Sequence, residues 1–139
     1  MPEKKKKIQL QNLSEQIAEI VAGLNYISER DAEIIPFCGQ ETELLTKEVF
    51  LSQINKTEDI KVEEKIFAEF FAPLIKFQDW FGEDERKTTE KFIRLKKLLQ
   101  RNLIQKKVFR IGKKEIEIYV VGLDKDNVLR GIQTKAVET

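Results

Sequence analysis

The end of the chain constrains the fold more than any other part of the sequence. Ile116, Ile118 and Val120 alternate with polar or aromatic neighbours. This period of two is typical of a strand with one buried face. The Gly112-Lys113 pair predicts a turn before that strand, and residues 108–111 predict its partner.

A third run of strand-forming residues, 128–136, follows a polar corner at residues 124–127. The three runs together predict an antiparallel meander that continues almost to the last residue. A terminal segment that is tied to a sheet stays ordered. We therefore expect Glu138, the Thr139 hydroxyl and the terminal carboxylate to form a fixed cluster of oxygen atoms.

Helices are predicted mainly before this meander. Apolar spacing, glycines and prolines divide the rest of the chain into segments. Helices are predicted from Leu10 to Leu24, ending near Gly23, and over 47–54, 62–71 and 84–103, with Pro73 stopping the third. A strand is predicted over 34–38, a loop over 39–43 and an ordered loop over 73–82. Pro36 favours a sheet edge for the early strand. The pattern predicts an α/β protein with a small, largely antiparallel sheet covered by helices.

The composition fits one domain, because 139 residues are enough for a single core. With 25 basic and 24 acidic side chains, the net charge of +1 provides no global attraction to nucleic acid or membranes. The Lys4–Lys7 run is interpreted as a solvated arm. A nucleic-acid-binding arm is the alternative, but no aromatic residues interleave with the lysines.

The chain is expected to be a soluble cytoplasmic protein. It has no apolar window that approaches about 18 residues, and no apolar segment follows the lysines as in a secretory signal. The single Cys38 excludes an internal disulfide and fits a reducing compartment. Because it follows Phe37, we expect it to be a small buried hydrophobic residue.

Catalytic chemistry is poorly supported by the sequence. There is no His to act as a general base or metal ligand, so Cys38 lacks the usual activating partner. No glycine-rich phosphate loop is present, and no cofactor is expected. Carboxylate clusters such as Glu63-Glu64 and 83–85 are typical of solvated helix faces. The sequence therefore favours a binding protein over an enzyme.

Several segments resemble one known family. They are, in chain order, Gly23-Leu24-Asn25-Tyr26-Ile27-Ser28-Glu29, Pro36-Phe37, Gln78-Asp79-Trp80-Phe81, Lys91-Phe92, Val108-Phe109-Arg110-Ile111-Gly112, Glu115-Ile116-Glu117-Ile118-Tyr119-Val120-Val121-Gly122 and the final Gly131-Ile132-Gln133-Thr134-Lys135-Ala136-Val137-Glu138-Thr139. Together they closely resemble the nuclease A inhibitor family, small bacterial proteins that block sugar-nonspecific DNA/RNA nucleases. The resemblance spans almost the whole chain and is weakest over 41–72.

The resemblance implies a three-layer α/β/α sandwich that inhibits a magnesium-dependent nuclease by occluding its active site. It implies that Thr139 points toward the metal of the nuclease, and that Glu29 meets active-site arginines. Trp80, with Asp79 beside it, would be an aromatic anchor. Glu138, next to Thr139, would add its carboxylate to the cluster of oxygen atoms at the end of the chain. Carboxylates suit this role because arginine binds them as it binds phosphate, and because magnesium prefers oxygen ligands.

Each of these residues also has a purely structural interpretation. Trp80 is equally compatible with the core, Glu29 with a solvated turn, and Thr139 with a loose tail. The protein is expected to be monomeric when free and to bind no nucleic acid directly. Two alternative functions remain: an interaction module with a different partner, and a weak nucleic-acid binder that uses the lysine arm.

Overall fold

The computed structural model describes residues 12–57 and 59–139. The Lys4–Lys7 run and the predicted beginning of the first helix at Leu10 lie outside these residues. The elements follow the order α1 (Leu13–Val21), β1 (Asn25–Ile27), β2 (Asp31–Glu33), β3 (Ile35–Glu41), α2 (Lys47–Gln53), β4 (Val62–Lys65), α3 (Phe67–Phe71), α4 (Glu83–Asn102), β5 (Ile104–Ile111), β6 (Glu115–Leu123) and β7 (Val128–Val137).

Five strands form one antiparallel sheet in the order β3-β7-β6-β5-β4, while β1 and β2 form a separate hairpin. The predicted C-terminal meander is confirmed, and its strands occupy the three central positions of the sheet. Gly112 has a φ of +119° in the turn between β5 and β6, a conformation that favours glycine. The meander therefore forms the support on which the other elements pack.

Alternate side chains of β6 enter two different cores. Ile116, Ile118 and Val120 pack with α1, α3 and α4 on one face of the sheet. Tyr119 and Val121 face the opposite side, where α2 covers a second cluster. Helices thus lie on both faces, which confirms the three-layer α/β/α arrangement.

The helix boundaries follow local capping chemistry. Asn12 begins α1 because its side chain accepts a hydrogen bond from the Glu15 amide at 2.9 Å. At the start of α4, the Glu85 carboxylate accepts the amide of Gly82 at 3.0 Å. Acidic residues fill the first turn of this helix, where they interact favourably with its positive end. The predicted helices over 47–54 and 84–103 are confirmed by α2 and α4.

The predicted helix over 62–71 is wrong in its first half. Residues Val62–Lys65 form the edge strand β4, and only Phe67–Phe71 are helical. Ile66, expected on the buried stripe of that helix, is exposed between the two elements. Pairing with β5 satisfies the backbone of β4, so tertiary contact overrides the helical spacing of the apolar side chains.

The early strand also differs from its prediction. Strand β3 continues to Glu41 through part of the predicted loop, with an irregular register after Cys38. Its edge position, which Pro36 favoured, is confirmed. Cys38 is exposed rather than buried, because alternation directs it away from the side of the strand on which Phe37 contacts Tyr119.

The β1–β2 hairpin replaces what the sequence predicted only as a polar corner. Its strands contain three residues each, too few for a readable alternation.

Within residues 12–57 and 59–139, no helix combines the length and hydrophobicity that crossing a membrane requires.

Candidate functional site

The candidate site begins with a contact between a turn and the last residue. The Thr139 hydroxyl donates a hydrogen bond to Glu29 Oε1 at 2.7 Å, although the two residues are 110 positions apart in sequence. Glu29 lies in the turn between β1 and β2, and both side chains are exposed. The structure therefore brings together two of the residues that the resemblance singled out.

Ser28 explains why the turn lies against the end of β7. Its hydroxyl donates to the Arg30 carbonyl at 2.9 Å, which closes the turn. The same oxygen accepts the Val137 amide at 3.0 Å. The Glu29 amide also donates to the Val137 carbonyl, at 3.4 Å. These bonds fix the turn to the last residues of the sheet.

Two further contacts, a stacked ring pair and the hydrogen bond of a buried hydroxyl, hold the hairpin to the rest of the molecule. The Tyr26 ring stacks on Phe70 of α3 with centroids 5.7 Å apart. Thr134 of β7 is buried and donates to the Glu33 carbonyl at 2.8 Å. The position of Glu29 thus depends on α3 and β7 as well as on its own strands.

Glu138 is paired with an arginine from the middle of the sheet. Its carboxylate accepts a hydrogen bond from the Arg110 guanidinium, whose Nε lies 3.3 Å from Glu63 Oε1. Burial alone would lower the pKa of Arg110. The hydrogen bond to Glu138 raises this pKa, and so do electrostatic interactions with Glu138, Tyr26 and Glu63, so that the pKa lies above its ordinary value. Arg110 therefore remains fully charged between two carboxylates.

Trp80 lies in the loop before α4 and is 74% exposed. The alternative interpretation of Trp80 as a core residue is therefore wrong. Its ring packs against the Phe81 ring in a T-shaped arrangement, with an interplanar angle of 90° and centroids 4.7 Å apart. Asp79, which precedes it, is also exposed.

Trp80 and the hairpin share a groove of about 670 Å³. Ile27, which is 71% exposed, lines the hairpin side of this groove. It lies two residues before Glu29, so the apolar groove and the Glu29–Thr139 contact involve the same hairpin. Of the five predicted site residues, Glu29 and Thr139 touch each other, while the structure shows no such direct link to Trp80 or Asp79 among the described residues.

The chemistry of this end of the molecule is that of exposed oxygen atoms beside an apolar surface. Glu29, Glu138 and the Thr139 hydroxyl can accept hydrogen bonds from arginine or lysine. Among the described residues, no group of three or more His, Cys, Asp or Glu side chains is arranged to hold a metal ion. An exposed carboxylate and an exposed apolar side chain thus lie on the same hairpin, at Glu29 and Ile27.

The fold is that of a small α/β protein with helices on both faces of one antiparallel sheet. The family model of nuclease A inhibitor-like proteins matches residues 11–139, and the chain belongs to that family. Membership implies a role as a nuclease inhibitor, which suggests that the protein is not itself an enzyme. Comparison with curated proteins gives no match.

Three residues of the site were not predicted from the sequence. Ser28 and Ile27 lie on a hairpin too short to show a pattern. Arg110 offered a clearer signal, since alternation along β5 places it on the same side as the buried Val108. A charged residue at such an inward position predicts an ion pair.

Proposed function

We propose that the protein binds a magnesium-dependent, sugar-nonspecific DNA/RNA nuclease and occludes its active site. The binding surface would comprise Glu29, Glu138 and Thr139 at the acidic tip, with Trp80 and Asp79 on the adjacent loop. No nucleic acid takes part directly. In this proposal the whole chain, residues 1–139, acts as one inhibitor domain.

The observation that carries the proposal is the hydrogen bond between Thr139 and Glu29. It joins the Thr139 hydroxyl to the exposed Glu29 carboxylate in the turn between β1 and β2. A fixed group of anionic oxygens loses less conformational entropy on binding than a loose tail does. The contact thus supports a preformed tip rather than two independent side chains.

A nuclease active site supplies the complementary groups. It must hold an anionic phosphodiester with basic side chains and a metal ion. Arginine pairs with a carboxylate in the same bidentate manner as with a phosphate. The terminal carboxylate and the Thr139 hydroxyl offer hard oxygen ligands toward the partner's magnesium. Glu29 would then meet an active-site arginine.

Trp80 and Ile27 support an interface beside the acidic tip. Large exposed apolar side chains that line one groove are typical of protein interaction surfaces. An exposed tryptophan is also a frequent anchor of binding energy. The net charge of +1 offers little long-range attraction, so the proposed recognition depends on these local groups.

The proposal is tested by measuring inhibition of a magnesium-dependent, sugar-nonspecific nuclease. The full chain is compared with a chain ending at Glu138 and with Glu29→Ala. Near-stoichiometric inhibition by the full chain and a loss of potency in both variants are expected. Glu90→Ala is the matched control, since Glu90 is an exposed acid in the middle of α4 and should retain full potency.

Equal potency of all four proteins would contradict the roles of Glu29 and Thr139. Cleavage that continues unchanged in the presence of the full chain would contradict the choice of nuclease. In that case the alternative, an interaction module that keeps the family fold and binds a different protein, becomes the favoured function.

A further inference from the structure

The last residues of the chain are held from both sides by groups outside the proposed contact surface. On one side, Ser28 Oγ accepts the Val137 amide at 3.0 Å. On the other side, the Glu138 amide donates to the Lys114 carbonyl at 2.9 Å. The backbone leading to Thr139 is therefore bonded to the hairpin turn and to the residues before β6.

Arg110 fixes the side chain of the same segment. It lies on β5, two strands away from β7 in the sheet, and its side chain is only 15% exposed. Its guanidinium reaches the Glu138 carboxylate while also contacting Glu63. Because Arg110 is largely covered, its effect on a partner must pass through Glu138.

From these contacts we infer that Arg110 and Ser28 are positioning residues that hold the C-terminal segment in its binding conformation. This inference rests on the proposed function, because it assigns these residues to the preparation of the Glu29–Thr139 contact. A segment that is already ordered in the free protein loses little further conformational entropy when the partner binds. Arg110 fixes the Glu138 side chain, and Ser28 links the backbone to the turn that carries Glu29.

Two measurements on Arg110→Gln and Ser28→Ala test the inference. The first is made on the free protein and follows backbone amide relaxation at 137–139 together with the rate at which a carboxypeptidase releases Thr139. The second is the inhibition constant toward the nuclease. We expect faster release and greater motion in both variants, with inhibition weakened about three- to tenfold.

Glu63→Gln is the matched control. It removes the charge of the other carboxylate that Arg110 contacts without changing the C-terminal segment, and it should leave release and inhibition unchanged. Arg110→Lys, which keeps the positive charge, should restore part of both properties. Glu138→Ala removes the same ion pair from the opposite side, so the release measurement can be made even if Arg110→Gln does not fold.

Wild-type release rates in Arg110→Gln, Ser28→Ala and Glu138→Ala would overturn the positioning role. Faster release with unchanged inhibition would overturn its connection to binding. If the unaltered chain fails to inhibit, the proposed function falls, and the release measurement on the free protein still decides whether these residues hold the segment.

Discussion

The β6–β7 pair and the β1–β2 hairpin show how differently two antiparallel pairs can be stabilised in one chain. The first pair aligns nine residue pairs, and most of its side chains are buried. The hairpin aligns three, and its strands are mostly exposed. A two-stranded hairpin of this length is marginal by itself, so its conformation depends on what it contacts.

The candidate site lies where these two regions meet. The hairpin supplies Glu29, and β7 leads to Thr139. Exposed binding groups are commonly carried by short segments on a stable scaffold. The comparison therefore predicts that substitutions in the central pair will change stability, whereas substitutions on the hairpin and the adjacent loop will mainly change binding.

The largest difference is expected between two isoleucine substitutions. Ile118 is completely buried in β6, and Ile118→Ala should lower the free energy of unfolding by about 2–5 kcal/mol. Ile27→Ala, on the exposed hairpin, should change it by less than about 0.5 kcal/mol. Urea denaturation of both variants measures this difference. Similar losses in the two proteins would contradict the contrast between the regions.

The turn that connects β6 to β7 should depend on Asp124. Its carboxylate accepts the amides of Asp126 and Val128 and the Arg130 guanidinium. Asp124→Asn should lower the free energy of unfolding at neutral pH by about 1–3 kcal/mol. Asp126→Asn is the control, because its exposed side chain lies in the same turn; an equal loss there would exclude a specific role for Asp124.

The Asp124 effect should also depend on pH. Burial alone would raise the pKa of Asp124, but the hydrogen bonds from Val128, Arg130 and Asp126 hold it below the ordinary value of 3.8. Its stabilising contribution is therefore fully present above that ordinary pKa and is lost as the pH falls through the lower folded-state pKa. The gap between wild type and Asp124→Asn should shrink in this acidic range and stay constant near neutrality.

A smaller effect is expected where the central pair meets the hairpin. Thr134→Val keeps the shape of the side chain but removes its hydrogen bond to the Glu33 carbonyl. The free energy of unfolding should fall by about 0.5–1.5 kcal/mol. Amide hydrogen exchange should accelerate in β1 and β2 more than in β6. Uniform acceleration across the sheet would show that the hairpin is not held separately.

The smallest change in stability is expected at Trp80. Because it is 74% exposed, Trp80→Ala should alter the free energy of unfolding by less than about 0.5 kcal/mol. Nuclease binding, measured by calorimetry, should nevertheless weaken by more than about 1 kcal/mol. Phe77→Ala provides a comparison in the same loop, at a residue outside the groove lining. Unchanged binding in Trp80→Ala would remove this residue from the proposed interface.

The central part of the fold was predictable because its sequence signals are long. The alternation around Ile118 extends along strand β6, and the apolar stripe of α4 extends over several helical turns. Both predictions are confirmed. The prediction of a helix over residues 62–65 was wrong because Phe67, Phe70 and Phe71 gave the whole segment a helical spacing. An edge strand also tolerates polar side chains on both faces, which hid its identity.

The candidate site was less accessible to sequence reasoning for a physical reason. The contact between Glu29 and Thr139 depends on how β7 approaches the hairpin, and residue periodicity contains no information about that distance. Their proposed roles came from the family resemblance and remain a prediction. Arg110 was detectable in principle as a charge at an inward strand position, but its partner Glu138 is set by the tertiary fold.

The most direct test of the account is a double-mutant cycle on the inhibition constant of the nuclease. It compares Glu29→Ala, removal of Thr139 and the two changes combined. The account predicts that both single changes weaken inhibition and that the combined protein is much less impaired than the sum of the two losses, because the residues act as one preformed unit. Strictly additive losses, or no loss in either single variant, would contradict it.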